Sequence, residues 1–178
     1  LFTRMYQNPN AKHDDGEALE QDEEKVMRQF NEFYEDVFLE LQNYGEIEEF
    51  LVCGNDNDHL MGNVYVKYDS EDSAKRAMKE LYGRYYAGKV LQPSYTRVTD
   101  FKEARCRQQD QGTCTRGGQC NFIHVIEPNR RLRDRLFRNQ PFRVKREKEE
   151  RRRREREREE RDREASVKKH SESRTESD

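Results

Sequence analysis

Met61-Gly62-Asn63-Val64-Tyr65-Val66-Lys67-Tyr68 reads as the plainest strand in the chain. Val64 and Val66 fall on one face and Tyr65 on the other, because side chains alternate along extended backbone. Upstream, Glu46 to Cys53 alternates enough for a second strand, and Gly54-Asn55-Asp56-Asn57-Asp58 between the two is a turn by composition. Further back, Val26, Phe30, Phe33, Val37 and Leu41 recur at three or four residues. That period predicts an amphipathic helix from about Asp22 to Asn43, with Gly45 ending it near the C′ position. Downstream, Ser70-Glu71-Asp72-Ser73 opens a second helix whose Ala74, Ala77, Met78 and Leu81 make the buried stripe.

Two further strands complete the plan. Leu1 to Tyr6 is a short one, stopped by Asn8-Pro9-Asn10 and followed by a polar, acidic loop to about Asp22. Lys89 to Arg97 is the other, after a loop over residues 83–88. The order β-α-β-β-α-β over residues 1–98 is the split βαβ plan of an α+β, RRM-like sandwich, long enough to bury its own core.

A sequence-reading sandwich of this kind carries K/R-G-F/Y-G/A-F-V-x-F/Y on its central strand. Here Met61 replaces the cation and Asn63 the first stacking aromatic, so only Tyr65 remains as a platform. Residues 1–100 carry 11 Lys/Arg against 21 Asp/Glu, a charge that repels phosphate. Protein binding is the better expectation for this domain. Asp36 and Glu40, an i,i+4 like-charge pair on the first helix, seek a cationic partner unless they are simply solvated. The loop Arg84-Tyr85-Tyr86 groups a cation with two aromatics, a composition common at interface hot spots, although Tyr86 is equally suited to capping the core.

Residues 101–178 reverse the charge, with 24 Lys/Arg against 16 Asp/Glu, which suggests a second partner, nucleic acid. Within them, Cys106, Cys114, Cys120 and His124 stand at C-x7-C-x5-C-x3-H. Three thiolates and an imidazole make a closed tetrahedral shell for Zn²⁺, a structural site with no open position for catalysis. Metal binding supplies the folding energy that so small a segment lacks. Gly112, Gly117 and Gly118 suit the tight turns this wrapping demands. Arg107 and Arg116 project cations, and Phe122 stands between the last two ligands. It either stacks on an unpaired RNA base or packs over the metal as a miniature core. The zinc finger is placed at 99–127.

Beyond it, 128–142 reads as a basic helix with Leu132, Leu136 and Phe137 on one side, and 143–178 as an Arg/Glu-rich tail. Residues 143–164 hold 12 basic and 9 acidic residues, the pattern of a solvated single helix or of disorder, with disorder expected from Lys168 onward. No apolar run is long enough to cross a bilayer, so no membrane partner is expected. Cysteines at metal spacing beside the lone Cys53 point to a reducing compartment.

Several strings taken together resemble the small subunit of the U2 auxiliary factor, the splicing heterodimer that marks the 3′ splice site. They are Glu32-Phe33-Tyr34-Glu35-Asp36-Val37-Phe38, residues Asp58 to Tyr68, Val98-Thr99-Asp100-Phe101-Lys102-Glu103-Ala104, Cys114-Thr115-Arg116-Gly117-Gly118 and Cys120-Asn121-Phe122-Ile123-His124. The resemblance implies a nuclear, non-enzymatic protein whose sandwich is a U2AF-homology motif. It implies that Arg84, Tyr86, Asp36 and Glu40 grip a tryptophan and basic residues of a large-subunit peptide, and that Tyr85 is the reciprocal plug into the large subunit. Tyr85 and Tyr86 stand where that family has tryptophan and phenylalanine. It further implies that Arg105, Arg107, Arg116 and Phe122 touch pre-mRNA at the 3′ splice-site AG, and that the tail meets other splicing factors. The family pairs two CCCH fingers, so the chain, which begins at Leu1, is expected to be a fragment lacking the first. A scaffold with a purely structural zinc finger and the minor-spliceosome relative are the alternatives.

Overall fold

The chain is seen in a computed structural model that describes residues 1–9, 22–98 and 100–175. Most of the expected acidic loop (residues 10–21), Thr99 and the last three residues of the tail lie outside the described residues. Two units follow one another, residues 1–140 and residues 141 onward.

Helix α1 (Glu23–Leu41) begins where the Asp22 side chain accepts the Glu24 amide at 3.1 Å, satisfying a donor the first turn leaves open. Strands β1 (Ile47–Val52) and β2 (Val64–Tyr68) pair antiparallel, with Phe50 opposite Val66 and Leu51 opposite Tyr65. Helix α2 (Glu71–Leu81) is capped by Ser70. Because alternate residues face opposite ways, Phe50, Val52 and Val64 join Phe30, Tyr34, Val37, Phe38, Leu41, Ala77 and Leu81 in one core. Leu51, Cys53 and Tyr65 form another on the reverse face.

The outer strands are shorter than the sequence suggests. Leu1 to Tyr6 contributes a single bridge, Phe2 to Val64, because Arg4 turns the chain at φ 49°. Of Lys89 to Arg97, only β4 (Lys89–Val90) is strand, paired with β3 (Tyr85–Tyr86). Residues 83–88, expected as loop, are therefore mostly hairpin. Its turn, Ala87-Gly88, has φ of 47° and 77°, positive at both central residues as the right-handed twist of a two-residue hairpin prefers. Pro93 then removes a ladder donor, and Ser94 and Leu1 hold each other by two backbone bonds of 3.0 Å. The lateral order of an RRM sheet survives with its edges reduced to these contacts.

Gly45 does not serve as a positive-φ stop: α1 ends at Leu41 on an αR cap at Gln42. A Cβ on Gly45 would strike Ser73, so close approach to α2 is what demands glycine.

Three short elements follow, α3 (Phe101–Ala104), α4 (Arg107–Asp110) and a 3-10 turn Gly117–Gln119. Helix α5 (Arg130–Arg138) buries Leu136 against the first core and sets Phe137 edge-on to Phe38 at 4.9 Å. This explains why α1 buries Tyr34 and Phe38 beyond its expected stripe. The basic helix expected over 128–142 is interrupted at Gln140, which is buried and bonded to Ile47.

Considered alone, the second unit is one helix, α6 (Pro141–Thr175). The pairs Arg151–Glu155 and Arg153–Glu157 lie one turn apart at 3.7 and 3.6 Å, small contributions that recur along the helix. The helix runs past Lys168, where polarity alone predicts disorder.

Candidate metal centre and binding surfaces

Cys106 closes α3's exit, Cys114 follows the turn after α4, and Cys120 and His124 flank the chain's return to the sheet. The four ligand atoms lie within 4.8 Å of one another. Cys106 and Cys120 are buried, and His124 Nε2 is a buried nitrogen with no hydrogen-bond partner among the described residues. A buried polar atom without a partner is costly, and a metal ion on that nitrogen removes the cost. The donor set fits Zn²⁺, whose tetrahedral shell it completes. Burial pushes the Cys106 thiol up, yet the Gln109 amide and the His124, Cys114 and Cys120 groups outweigh it and bring the thiol down to about 6. Gly112 and Gly117 take φ of 69° and 53°, whereas Gly118 is needed for another reason: a Cβ there would strike Asp56.

The finger does not hang free of the sandwich. Cys53 pairs with Val125, extending β1 onto the finger, and Ile126 donates to the Val52 carbonyl at 3.0 Å. Phe101, Ile123 and Val125 cover Leu51 and Tyr65, with the Tyr65 and Phe101 rings edge-on at 5.8 Å. Tyr65 is 6% exposed, so the one aromatic left for stacking on this sheet is roofed by the finger. Asn55, read from composition as turn, is buried and donates to the Cys120 and Phe122 carbonyls at 2.9 and 3.0 Å while accepting the His124 amide at 2.8 Å. Asn57 donates to the Cys120 carbonyl at 2.7 Å. No local signal marks these contacts with the finger, because the carbonyls that accept from the two side chains lie more than sixty residues away.

Arg105, Arg107, Arg116 and Phe122 line one open cleft of about 530 Å³ beside Cys106. Phe122 is 48% exposed, so it is not a miniature core over the metal. The cations differ. Arg105 bonds Asp110 and Glu127 at 3.0 and 3.1 Å, and Arg116 bonds Gln108 at 2.9 Å. Arg107 is exposed and has no ion-pair partner among the described residues.

Asp36, Glu40, Arg84, Tyr85 and Tyr86 line a second, separate pocket of about 180 Å³, floored by Phe2, Met5, Val37, Leu41, Leu81 and Leu91. Its acidic pair is relieved from within the chain. Glu40 accepts from the Tyr44 hydroxyl at 2.7 Å and from the Arg84 guanidinium, which also reaches Tyr44 at 3.1 Å. The Tyr44 hydrogen bond first, and then Arg84, hold the Glu40 carboxyl below its ordinary value against the opposing effect of burial. Burial, with Asp36 beside its hydroxyl, pushes Tyr86 up to about 12. Tyr85 is 75% exposed at the rim. Tyr44 was missed in the sequence, where it is simply the last aromatic before Gly45.

Two family profiles match the chain: one described as RNA recognition motif, over residues 34–92, and one described as zinc finger of C-x8-C-x5-C-x3-H type (and similar), over residues 101–126. The chain is 44% identical over 144 residues to the splicing factor U2AF 26 kDa subunit of Rattus norvegicus, covering 79% of this chain and 66% of that protein. It is 43% identical over 132 residues to the splicing factor U2AF 23 kDa subunit of Schizosaccharomyces pombe, covering 74% and 60%. With the splicing factor U2af 38 kDa subunit of Drosophila melanogaster the identity is 43% over 142 residues, covering 77% and 54%. The chain thus spans less than two thirds of the length of these relatives. With an RRM fold, a Cys₃His finger docked on its sheet and this identity along most of its length, the chain belongs to the U2AF small-subunit family of splicing factors.

Proposed function

We propose that this chain is a non-enzymatic pre-mRNA splicing subunit acting in the nucleus. Its RRM-like domain takes a segment of the U2AF large subunit, and its zinc finger helps recognise the AG at the 3′ splice site. The observation that supports this is the gathering of two residue sets, far apart in sequence, on two surfaces with no lining residue in common. One is an apolar pocket with acidic residues and an arginine at its mouth, suited to an aromatic side chain on a basic peptide. An inserted indole meets the Arg84 guanidinium and the Tyr86 ring, while Asp36 and Glu40 face the peptide's cations. The other is an open cleft with a half-exposed aromatic and cations, suited to stacking an unpaired base and holding phosphate. The full four-ligand shell leaves the metal a structural part.

Fluorescence anisotropy with the zinc-loaded chain tests the reading. A uridine-rich RNA containing AG is compared with its CG variant, with and without a tryptophan-bearing basic peptide from the large subunit. Preference for AG that is lost on chelation, together with micromolar or tighter peptide binding, is the expected result. Equal, steeply salt-dependent binding of both RNAs refutes AG recognition by this finger.

One observation favours a second reading, a scaffold with a purely structural finger. Arg105 is held by Asp110 and Glu127, so a cation of the cleft is already engaged. That reading predicts that charge reversal at Arg107 and Arg116 leaves RNA affinity unchanged.

A further inference from the structure

We propose that the loop Gly54–Asp58 of the RRM-like domain is a working part of the metal site, with Asn55 and Asn57 as positioning residues for the ligands Cys120 and His124. The inference rests on the assignment of the Cys₃His cluster to zinc and not on RNA recognition.

The loop meets the finger at each residue from Gly54 to Asn57. Asp56 donates its amide to the Gly118 carbonyl at 2.9 Å, Asn57 and Asn55 donate to the Cys120 carbonyl at 2.7 and 2.9 Å, and Asn55 to the Phe122 carbonyl at 3.0 Å. The His124 amide donates to Asn55, and its carbonyl accepts from Gly54 at 2.7 Å. The side-chain amide of Asn55 thus takes the place of a peptide group where the backbone ladder of β1 gives out after Cys53. Both of its donors and its acceptor are used, and the residue is only 2% exposed. Asn57 is itself fixed, since its Oδ1 accepts the Leu60 amide at 2.9 Å.

These bonds act on the ligand-bearing backbone. The Cys120 carbonyl receives two amide donors, and the His124 peptide is held at both its N–H and C=O. Two of four ligands are therefore placed by the fold before any ion arrives, and the unpartnered His124 Nε2 is left aimed among the thiols. Ordering ligands costs conformational entropy, so a site ordered in advance binds metal more tightly. Hydrogen bonds around ligands commonly change metal affinity by roughly 10–100-fold when removed. The same loop sets the Phe122 peptide and hence the aim of its ring.

The test uses the full chain with Asn55→Ala, Asn55→Asp, Asn57→Gly and, as a control, Gln140→Ala. The last removes a comparably buried amide at the opposite end of β1. Zinc affinity is read by chelator competition, and ligand geometry by the absorption of the Co²⁺-substituted protein. Asn55→Ala is expected to weaken zinc roughly 10–100-fold and shift the cobalt bands. Asn55→Asp, which keeps the acceptor but turns both donors into charge facing carbonyls, is expected to do at least as much. Asn57→Gly is expected to do less, because Asn55 still holds Cys120. Zinc affinity within twofold of the parent chain in both Asn55 variants overturns the proposal, as does an equal loss in Gln140→Ala. Should the Asn55 variants fail to fold, Asn57→Gly decides alone, with an unchanged affinity and cobalt spectrum counting against it. None of these readouts uses RNA, so loss of AG preference in the parent chain leaves the proposal standing.

Discussion

Gln140 holds both polar groups of the Ile47 backbone: its Oε1 accepts the Ile47 amide at 2.6 Å and its Nε2 donates to the Ile47 carbonyl at 2.9 Å. A side-chain amide thereby satisfies both backbone groups of the first residue of β1, just beyond the end of α5 at Arg138. Gln140→Ala leaves a buried donor and acceptor unpaired, so the first unit is expected to lose about 2–4 kcal/mol. Urea unfolding monitored by far-UV circular dichroism measures this. A loss under about 0.5 kcal/mol would mean that water replaces the amide without cost.

Removing the metal is expected to destabilise the sandwich along with the finger, because Ile123, Val125 and Phe101 roof Leu51 and Tyr65. The sequence alone suggests that Cys114→Ser unfolds the finger while the sandwich stays cooperative; the shared apolar face adds that the sandwich is destabilised as well. With free zinc 1,000-fold above its Kd, the linkage amounts to about 4 kcal/mol. Cys114→Ser and chelation should each lower the unfolding midpoint of residues 1–140 in one transition. Two separate transitions, with the sandwich's midpoint unmoved, would show the finger to be independent.

At the pocket proposed to take the peptide, Arg84→Ala and Tyr86→Ala are expected to weaken a tryptophan-bearing basic peptide by roughly tenfold or more each, the scale of interface hot spots. Tyr85→Trp enlarges a ring that is already exposed at the rim and should tighten binding to the intact large subunit. Isothermal titration calorimetry on the folded variants checks both. Unchanged affinity in Arg84→Ala would remove that residue from the interface.

The Glu40 carboxyl is held below its ordinary value of 4.5 by Tyr44 and Arg84. A depressed acid stabilises the fold above its unfolded pKa, and that contribution fades as pH falls from about 4.5 through the lower folded value. Since Glu40 and Arg84 are both substantially solvated, the effect is expected to stay under about 1 kcal/mol. Stability measured from pH 6 to pH 3 should fall slightly less steeply in Glu40→Gln than in the parent chain. Identical slopes would show that the carboxylate gains nothing from its neighbours.

Charge reversal at Arg107 and Arg116 separates RNA reading from scaffolding. Each lost phosphate contact on single-stranded RNA should lower the slope of log affinity against log salt by about 0.7. Arg107→Glu is expected to have the larger effect, because Arg116 already bonds Gln108 and lies 3.9 Å from the Cys106 sulfur. A salt dependence identical to the parent's in both variants would favour the scaffold.

What the chain announces by itself is whatever short-range chemistry dictates. Cys106, Cys114, Cys120 and His124 declare a zinc shell through spacing alone, because a loop must return each ligand within a few residues. The stripe of α1 from Phe30 to Leu41 and the alternation of Val64, Tyr65 and Val66 are likewise periodic, and the structure places them on the faces they imply, while Val26 at the start of the stripe lies outside the core. The strand edges are shorter than their composition implies, since Leu1 to Tyr6 and Lys89 to Arg97 have strand composition but are cut short by Arg4 and Pro93. Tertiary structure alone decided that the finger roofs the sheet and that Asn55, Asn57 and Gln140 serve as substitute peptide groups. It also decided that Arg84 and Tyr44 relieve the acidic face. Apart from Tyr44 and Glu40, which lie one helical turn apart, these contacts join residues far apart in the chain, Gln140 and Ile47 by 93 positions. A side-chain amide in a turn has no periodicity, so its partner is chosen only when the packed chain presents an unpaired backbone group that must be satisfied.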